Sequence, residues 1–249
     1  MAAPGAEAVA QLDAVVFDWG GTLTPWHAVD FAQEAQALAL AALDAHPEAH
    51  LDLQVANQRV WARSKDAQRS ATLADVFTEA GLTHDEAMLT AYREFWEPHT
   101  HTDPDVPELF ARLRGDGWRI GVLSNTVWPR AWHEEIFARD GVLDLIDGAV
   151  YTSEVPWTKP SPEAFRAAAR AVGVPDPTRC VFVGDRLFDD IWGAAQVGMR
   201  TVLVPHSAIP PEQVGHTLGD PDAVVHRLAE VHEVVRRWRA PASEAGRRS

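Results

Sequence analysis

The sequence predicts an α/β protein: a doubly wound, three-layer core around a parallel sheet, with an all-helical cap inserted after the first strand. Three observations carry this. A short β-branched run at residues 12–17 leads into a glycine-containing turn. Residues 26–103 hold successive helical patterns and no strand-like run. From about residue 106 helix and strand alternate, the signature of a parallel sheet covered on both faces.

The elements follow in order. Residues 12–17 (LDAVVF) are the first strand, ending in Asp18-Trp19-Gly20-Gly21-Thr22. Phe31, Ala35, Leu38, Ala39, Ala42 and Leu43 recur at the spacing of one helical face, and further helical patterns cover 51–70, 73–80 and 85–96. A proline-rich stretch at 99–107 closes this unit. A helix at 106–113, a strand at 118–124, a helix at 130–139 and a short strand at 148–152 come next. Ser161 can cap and Pro162 can start a helix over 162–172. A strand at 180–183, a helix at 189–197 and a strand at 201–204 precede a last helix, which carries Val224, Val225, Leu228, Val231, Val235 and Trp238 on one side. The first strand belongs with the later ones, so the expected division is a core of 1–25 and 104–240, a helical cap of 26–103 and a flexible tail of 241–249. No internal repeat is visible.

Composition narrows the function classes. With 249 residues, 46% hydrophobic and 23% charged, the chain has ordinary globular usage. A formal charge of −14 sets its field against nucleic acid and anionic lipid. Cys180 is the single cysteine, so no intrachain disulfide can form. No apolar stretch approaches the roughly 18 residues of a membrane span, and the first eleven residues lack the basic start of a secretory leader. The expected location is cytoplasmic, and nothing in the pattern assigns an oligomeric state.

In open α/β sheets ligands bind beyond the carboxyl ends of the strands. Here those positions read Asp18-Trp19-Gly20-Gly21-Thr22, Ser124-Asn125-Thr126, Thr158-Lys159-Pro160, and Gly184-Asp185 with Asp189 and Asp190. A parallel sheet gathers them on one rim. Three or four carboxylates would then face one ammonium, from Lys159, and Lys65 is the only other lysine. Crowded carboxylates raise one another's pKa unless a cation compensates them, and a hard divalent ion such as Mg²⁺ suits an all-oxygen set.

The four motifs in this order, with a helical insertion between the first and second, resemble the haloacid dehalogenase superfamily, most of whose members are phosphatases. The resemblance covers the core from Asp18 to Asp190. It implies that Asp18 is the nucleophile forming an aspartyl-phosphate, that Ser124 hydrogen-bonds a phosphoryl oxygen, and that Lys159 neutralises it while holding Asp18. It also implies that Asp18, Asp185 and the Gly20 carbonyl ligate Mg²⁺, with Asp190, or Asp189 beside it, holding metal-bound water. Trp19, Gly20 and Asn125 fall at the phosphoryl-binding positions, and the implied partner is a small phosphorylated metabolite.

One position departs from the family pattern. Phosphatases of the family carry a second aspartate two residues after the nucleophile, which protonates the leaving group; here Gly20 stands there. A positioned acid contributes roughly 10²–10⁴-fold, so alkyl phosphates should turn over slowly. Another group, with His27 nearest in sequence, could shuttle the proton. Phosphonoacetaldehyde hydrolases of the superfamily have a similar Asp-Trp-Ala-Gly-Thr motif, and that chemistry needs a cap lysine, for which only Lys65 qualifies. A non-catalytic phosphate-binding module is the alternative outside the enzymes. A dehalogenase is disfavoured by Asp185, Asp189 and Asp190, since those relatives work without metal. Trp19, Trp128 and Trp157 lie near the motifs and read first as core packing. The pairs His46/His50 and His99/His101 lack a third placed zinc ligand.

Overall fold

The computed structural model describes residues 11–205 and 217–239; the expected tail at 241–249 and the first ten residues lie outside the described residues. Six parallel strands form one sheet in the order β3-β2-β1-β4-β5-β6: β1 Ala14–Phe17, β2 Arg119–Ser124, β3 Gly148–Tyr151, β4 Cys180–Gly184, β5 Arg200–Leu203 and β6 Ala223–Val224. Side chains alternate between the faces of a strand, and the core sorts accordingly. Val15, Phe17, Ile120, Val122, Val181 and Val183 pack on one side, with α5 (Val106–Gly115), α6 (Arg130–Arg139) and α9 (Val231–Arg239). Ala14, Val16, Leu123, Cys180 and Phe182 pack on the other, with α7 (Pro162–Ala171) and α8 (Gly193–Ala195). Burial on both faces is why these strands read as continuous apolar runs. The two neighbours of β1 are β2 and β4, so chain direction across the sheet reverses there, and the crevice at such a switch point is where ligands bind.

Between β1 and α5 lie α1 (Phe31–Ala39), α2 (Ala49–Ala67), α3 (Leu73–Glu79) and α4 (Thr90–Trp96). They share a cluster of buried residues that includes Leu38, Leu53, Val60, Phe77 and Tyr92, and Val127, Trp128 and Trp132 join it from the segment after β2. Backbone bonds tie the segment down at four places. Asp103 N–H donates to Leu23 C=O (2.8 Å) where the chain leaves and returns. Leu73 N–H donates to Val127 C=O (3.0 Å), Ser70 N–H to Pro156 C=O (3.3 Å) and Thr158 N–H to Gln68 C=O (3.2 Å).

Some expectations need correction. The last helix is shorter than its apolar pattern: residues 223–224 form β6 beside β5, and only Val231–Arg239 is α-helical. A two-residue edge strand is below what a periodicity window resolves. The expected helix at 189–197 is a π-helical turn over Leu187–Trp192 continued by α8. Ser161 occupies the cap position of α7 without a side-chain capping bond. α1 ends at Ala39, so Leu43, which the helical spacing would bury, is 62% exposed.

Candidate active site

β1 delivers Asp18 at its carboxyl end, where the Asp18 N–H still donates to Val183 C=O (2.9 Å) and so continues the strand pairing. The chain then turns tightly. Thr24 N–H donates to Trp19 C=O (2.9 Å) and Gly21 N–H to Thr24 C=O (2.7 Å), a bridge that uses neither the N–H nor the C=O of Gly20. Gly21 has φ +91°, and a β-carbon there would collide with the Trp26 indole and the Asp185 carboxylate. Only glycine permits that approach. Gly20 is different: a β-carbon on it would meet nothing within 4 Å.

Four buried charged groups converge above this turn. Asp18 is 6% exposed, Lys159 4%, Asp185 4% and Asp190 0%. The Lys159 ammonium donates to Asp18 Oδ1 (2.5 Å) and Asp190 Oδ1 (2.7 Å). Asp190 Oδ2 accepts the N–H groups of Asp185 (3.1 Å) and Arg186 (3.0 Å), and a β-carbon on Gly184 would occupy the space of that carboxyl group. Asp185 Oδ2 accepts the Trp26 indole N–H (2.8 Å), while its Oδ1 is buried with no hydrogen-bond partner among the described residues. Thr22 lies 3.4 Å from Asp18 Oδ2 through its hydroxyl.

Burial dominates the electrostatics. It pushes the Asp18 carboxyl up to about 6 against the pull of Lys159, with Asp190 adding repulsion. Burial, reinforced by the charges of Asp18 and Asp190, takes Asp185 up to about 8. Burial works against the Lys159 charge too, but the Asp18 and Asp190 carboxylates outweigh it and hold the ammonium above its ordinary range. Asp18, Asp185 and Asp190 each offer a ligand atom within 4.8 Å of the others. One ammonium against three buried carboxylates, with Asp185 Oδ1 unpartnered, leaves negative charge that a hard divalent cation on oxygen ligands would balance. The donor set therefore fits Mg²⁺.

The other residues singled out from sequence fall as follows. Ser124 ends β2 and is 1% exposed. Asn125 spends both ends of its amide on the main chain of Lys159, accepting its N–H (2.8 Å) and donating to its C=O (3.1 Å). Asp189 is outside the carboxylate group, and its pKa is raised by burial and by Asp190. Lys65 is exposed near the end of α2, close enough for its charge to act on Asp189. His27 is exposed, with its ring 5.8 Å from that of His99. Trp19 packs against Trp128 (5.6 Å) and edge-on to His133 (4.4 Å), and Trp157 bridges to Arg69. Two polar features escaped the sequence reading. One is Trp26, whose partner is 159 residues away; the other is Glu34, buried on α1 and bonded by the Tyr92 hydroxyl (3.0 Å). Local sequence carries no signal for either.

Residues 12–198 match the family of haloacid dehalogenase-like hydrolases. A glyceraldehyde 3-phosphate phosphatase of Methanopyrus kandleri is 28% identical over 244 residues, covering 90% of this chain and 97% of that enzyme. A phosphoglycolate phosphatase of Cereibacter sphaeroides is 31% identical over 200 residues, covering 76% and 83%. Among solved structures, a HAD phosphatase from Thermococcus onnurineus superposes with a TM-score of 0.61 at 23% identity, over 90% of this chain and 98% of that one. An L-2-haloacid dehalogenase from Xanthobacter autotrophicus, with chloropropionic acid covalently bound, gives 0.61 at 20% identity over the same shares. These structural likenesses carry the fold.

Proposed function

This chain belongs to the haloacid dehalogenase-like hydrolases, and from that premise we propose that it is a Mg²⁺-dependent phosphatase of a small phosphorylated metabolite, working through an aspartyl-phosphate at Asp18. The observation that carries the reading is the buried contact of Asp18 with Lys159, itself bonded to Asp190, at the rim that also holds Asp185 and Ser124. The phosphatase names of the relatives support the reaction class, and the buried carboxylates support the metal over a metal-free dehalogenase.

In this reading Asp18, Asp185 and the Gly20 carbonyl would hold Mg²⁺, with Asp190 holding a water beside it. Bound there, the ion would offset the charge of the carboxylates and of the phosphoryl oxygens. Asn125 fixes the backbone of Lys159, so the ammonium keeps its contact with Asp18 and meets an incoming phosphoryl oxygen. Ser124 and the N–H of Gly20 donate to the remaining oxygens. The Asp18 carboxylate attacks phosphorus, the ester P–O bond breaks, and the leaving oxygen takes a proton from water or from the substrate, because Gly20 offers none. Water then adds to the aspartyl-phosphate, releasing inorganic phosphate and restoring Asp18. The helical segment 26–103 acts as a cap that covers the crevice and selects the substrate.

The test is hydrolysis of an aryl phosphate, phosphoglycolate and glyceraldehyde 3-phosphate with Mg²⁺ and with chelator. Turnover should require the metal, favour the aryl ester and fall to background in Asp18→Asn. Metal-independent turnover, or an Asp18→Asn variant as active as the parent, would refute the mechanism. A protein that binds phosphate and turns over none of the three is a binding module.

A further inference from the structure

We propose that Trp26 is a positioning residue for the metal site: its indole N–H occupies Asp185 Oδ2 and thereby fixes the carboxylate so that Oδ1 faces the cation. The inference rests on Asp185 being a ligand, as proposed above, and adds a residue outside the four motifs.

Five observations support it. The Trp26 N–H to Asp185 Oδ2 bond is 2.8 Å long and bridges 159 residues. The other oxygen of the same carboxylate is buried and accepts no hydrogen bond among the described residues, so the two oxygens are already distinguished before any cation enters. The indole has a second contact: the Arg186 guanidinium lies 5.3 Å from its ring centroid, in cation–π range. The main chain makes room for the contact, because Gly21 in its left-handed conformation leaves free the space that a β-carbon would take from both Trp26 and Asp185. Asp185 and Arg186 both donate their N–H groups to Asp190 Oδ2, so the pair of residues that Trp26 touches is anchored on its other side.

The physical need is plain. A free carboxylate rotates about its last bond and presents either oxygen, and outer hydrogen bonds that select one orientation typically change metal affinity 10–100-fold. Trp26 also sits where the chain leaves β1's turn for α1, so the entry to the helical segment is tied directly to a metal ligand.

The experiment measures Mn²⁺ binding to the full chain by electron paramagnetic resonance. Trp26→Phe keeps an aromatic ring and loses the N–H; it should weaken binding about 10–100-fold with the fold intact by circular dichroism. Trp26→His, which restores a ring N–H, should recover part of the loss. In an Asp185→Asn background Trp26→Phe should change affinity less than about twofold, since its effect passes through Asp185. Wild-type binding by Trp26→Phe, or an equal loss in the Asp185→Asn background, overturns the inference. If Asp185→Asn alone binds Mn²⁺ like the parent, the ligand assignment falls first and takes this inference with it. Trp26→Leu is read the same way should Trp26→Phe not fold.

Discussion

At Gly20 one missing side chain separates this site from the usual phosphatase pattern, and the surrounding structure says what restoring it would do. Gly20 has an ordinary φ and open space where a β-carbon would stand, so Gly20→Asp should fold without strain. If the absent acid limits turnover, the variant should raise hydrolysis of an alkyl phosphate by about 10²-fold, within the range for a positioned acid. The aryl ester, whose leaving group needs no proton, should change little. The ratio of the two rates is the measurement, and an unchanged ratio in a folded, metal-binding variant removes the missing proton as the explanation. The contrast with Gly21 is instructive. The two adjacent glycines look alike in sequence, yet one is required by φ +91° and two close neighbours while the other is a chemical choice.

At the scale of an element, α1 shows how a helical period can be right while its most consequential residue goes unseen. The pattern marked Ala35 and Leu38, which are buried, but passed over Glu34, which is buried with them at 5% exposure. Burial drives the Glu34 carboxyl up to about 7, with the Tyr92 hydroxyl pulling the other way. Tyr92 in turn accepts the Trp128 indole N–H (3.2 Å), so a buried polar chain joins α1, α4 and the segment following β2. The sign of the stability effect follows from linkage. An unfolded glutamate titrates near 4.3, so the folded state holds the proton more tightly, and this contribution is complete below that pH and lost as pH rises towards 7. Glu34→Gln should therefore stabilise the protein at pH 8 by up to about 3 kcal/mol relative to the parent, and by less than about 1 kcal/mol at pH 5. Urea midpoints at the two pH values check it; a difference independent of pH would show that Glu34 is not the titrating group. The carboxyl-terminal segment makes the complementary point. Val224, Val225, Leu228, Val231 and Val235 fit one helical stripe, but pairing with β5 draws Ala223 and Val224 into the sheet before the helix begins.

For the molecule as a whole, the cation site proposed among the buried carboxylates of Asp18, Asp185 and Asp190 would couple metal binding to folding. A ligand that binds only the folded chain stabilises it by about 2.7 kcal/mol at one hundred times its dissociation constant. For a chain of this size that corresponds to roughly 5–10 °C in melting temperature. Mg²⁺ should raise the melting temperature saturably by this much, chelator should reverse it, and Asp185→Asn should blunt it. A melting temperature indifferent to Mg²⁺ would count against a cation among Asp18, Asp185 and Asp190.

Much of this was legible before any coordinates, for a definite reason. Buried parallel strands must be apolar on both faces and must stop where the chain turns polar, so β1, β2 and β4 and the residues at or just beyond their ends, Ser124 in β2 and Asp18 and Asp185 after β1 and β4, stand out in the linear text. What that text could not hold is pairing at a distance. The contact of Lys159 with Asp18 was implied by the order of the motifs, but Trp26 finds Asp185 across 159 residues, Asn125 closes on the Lys159 backbone, and neither contact leaves a mark in local sequence. Those contacts depend on the register of the sheet and on which rotamers remain once water is excluded, and both are settled only when the whole chain has packed.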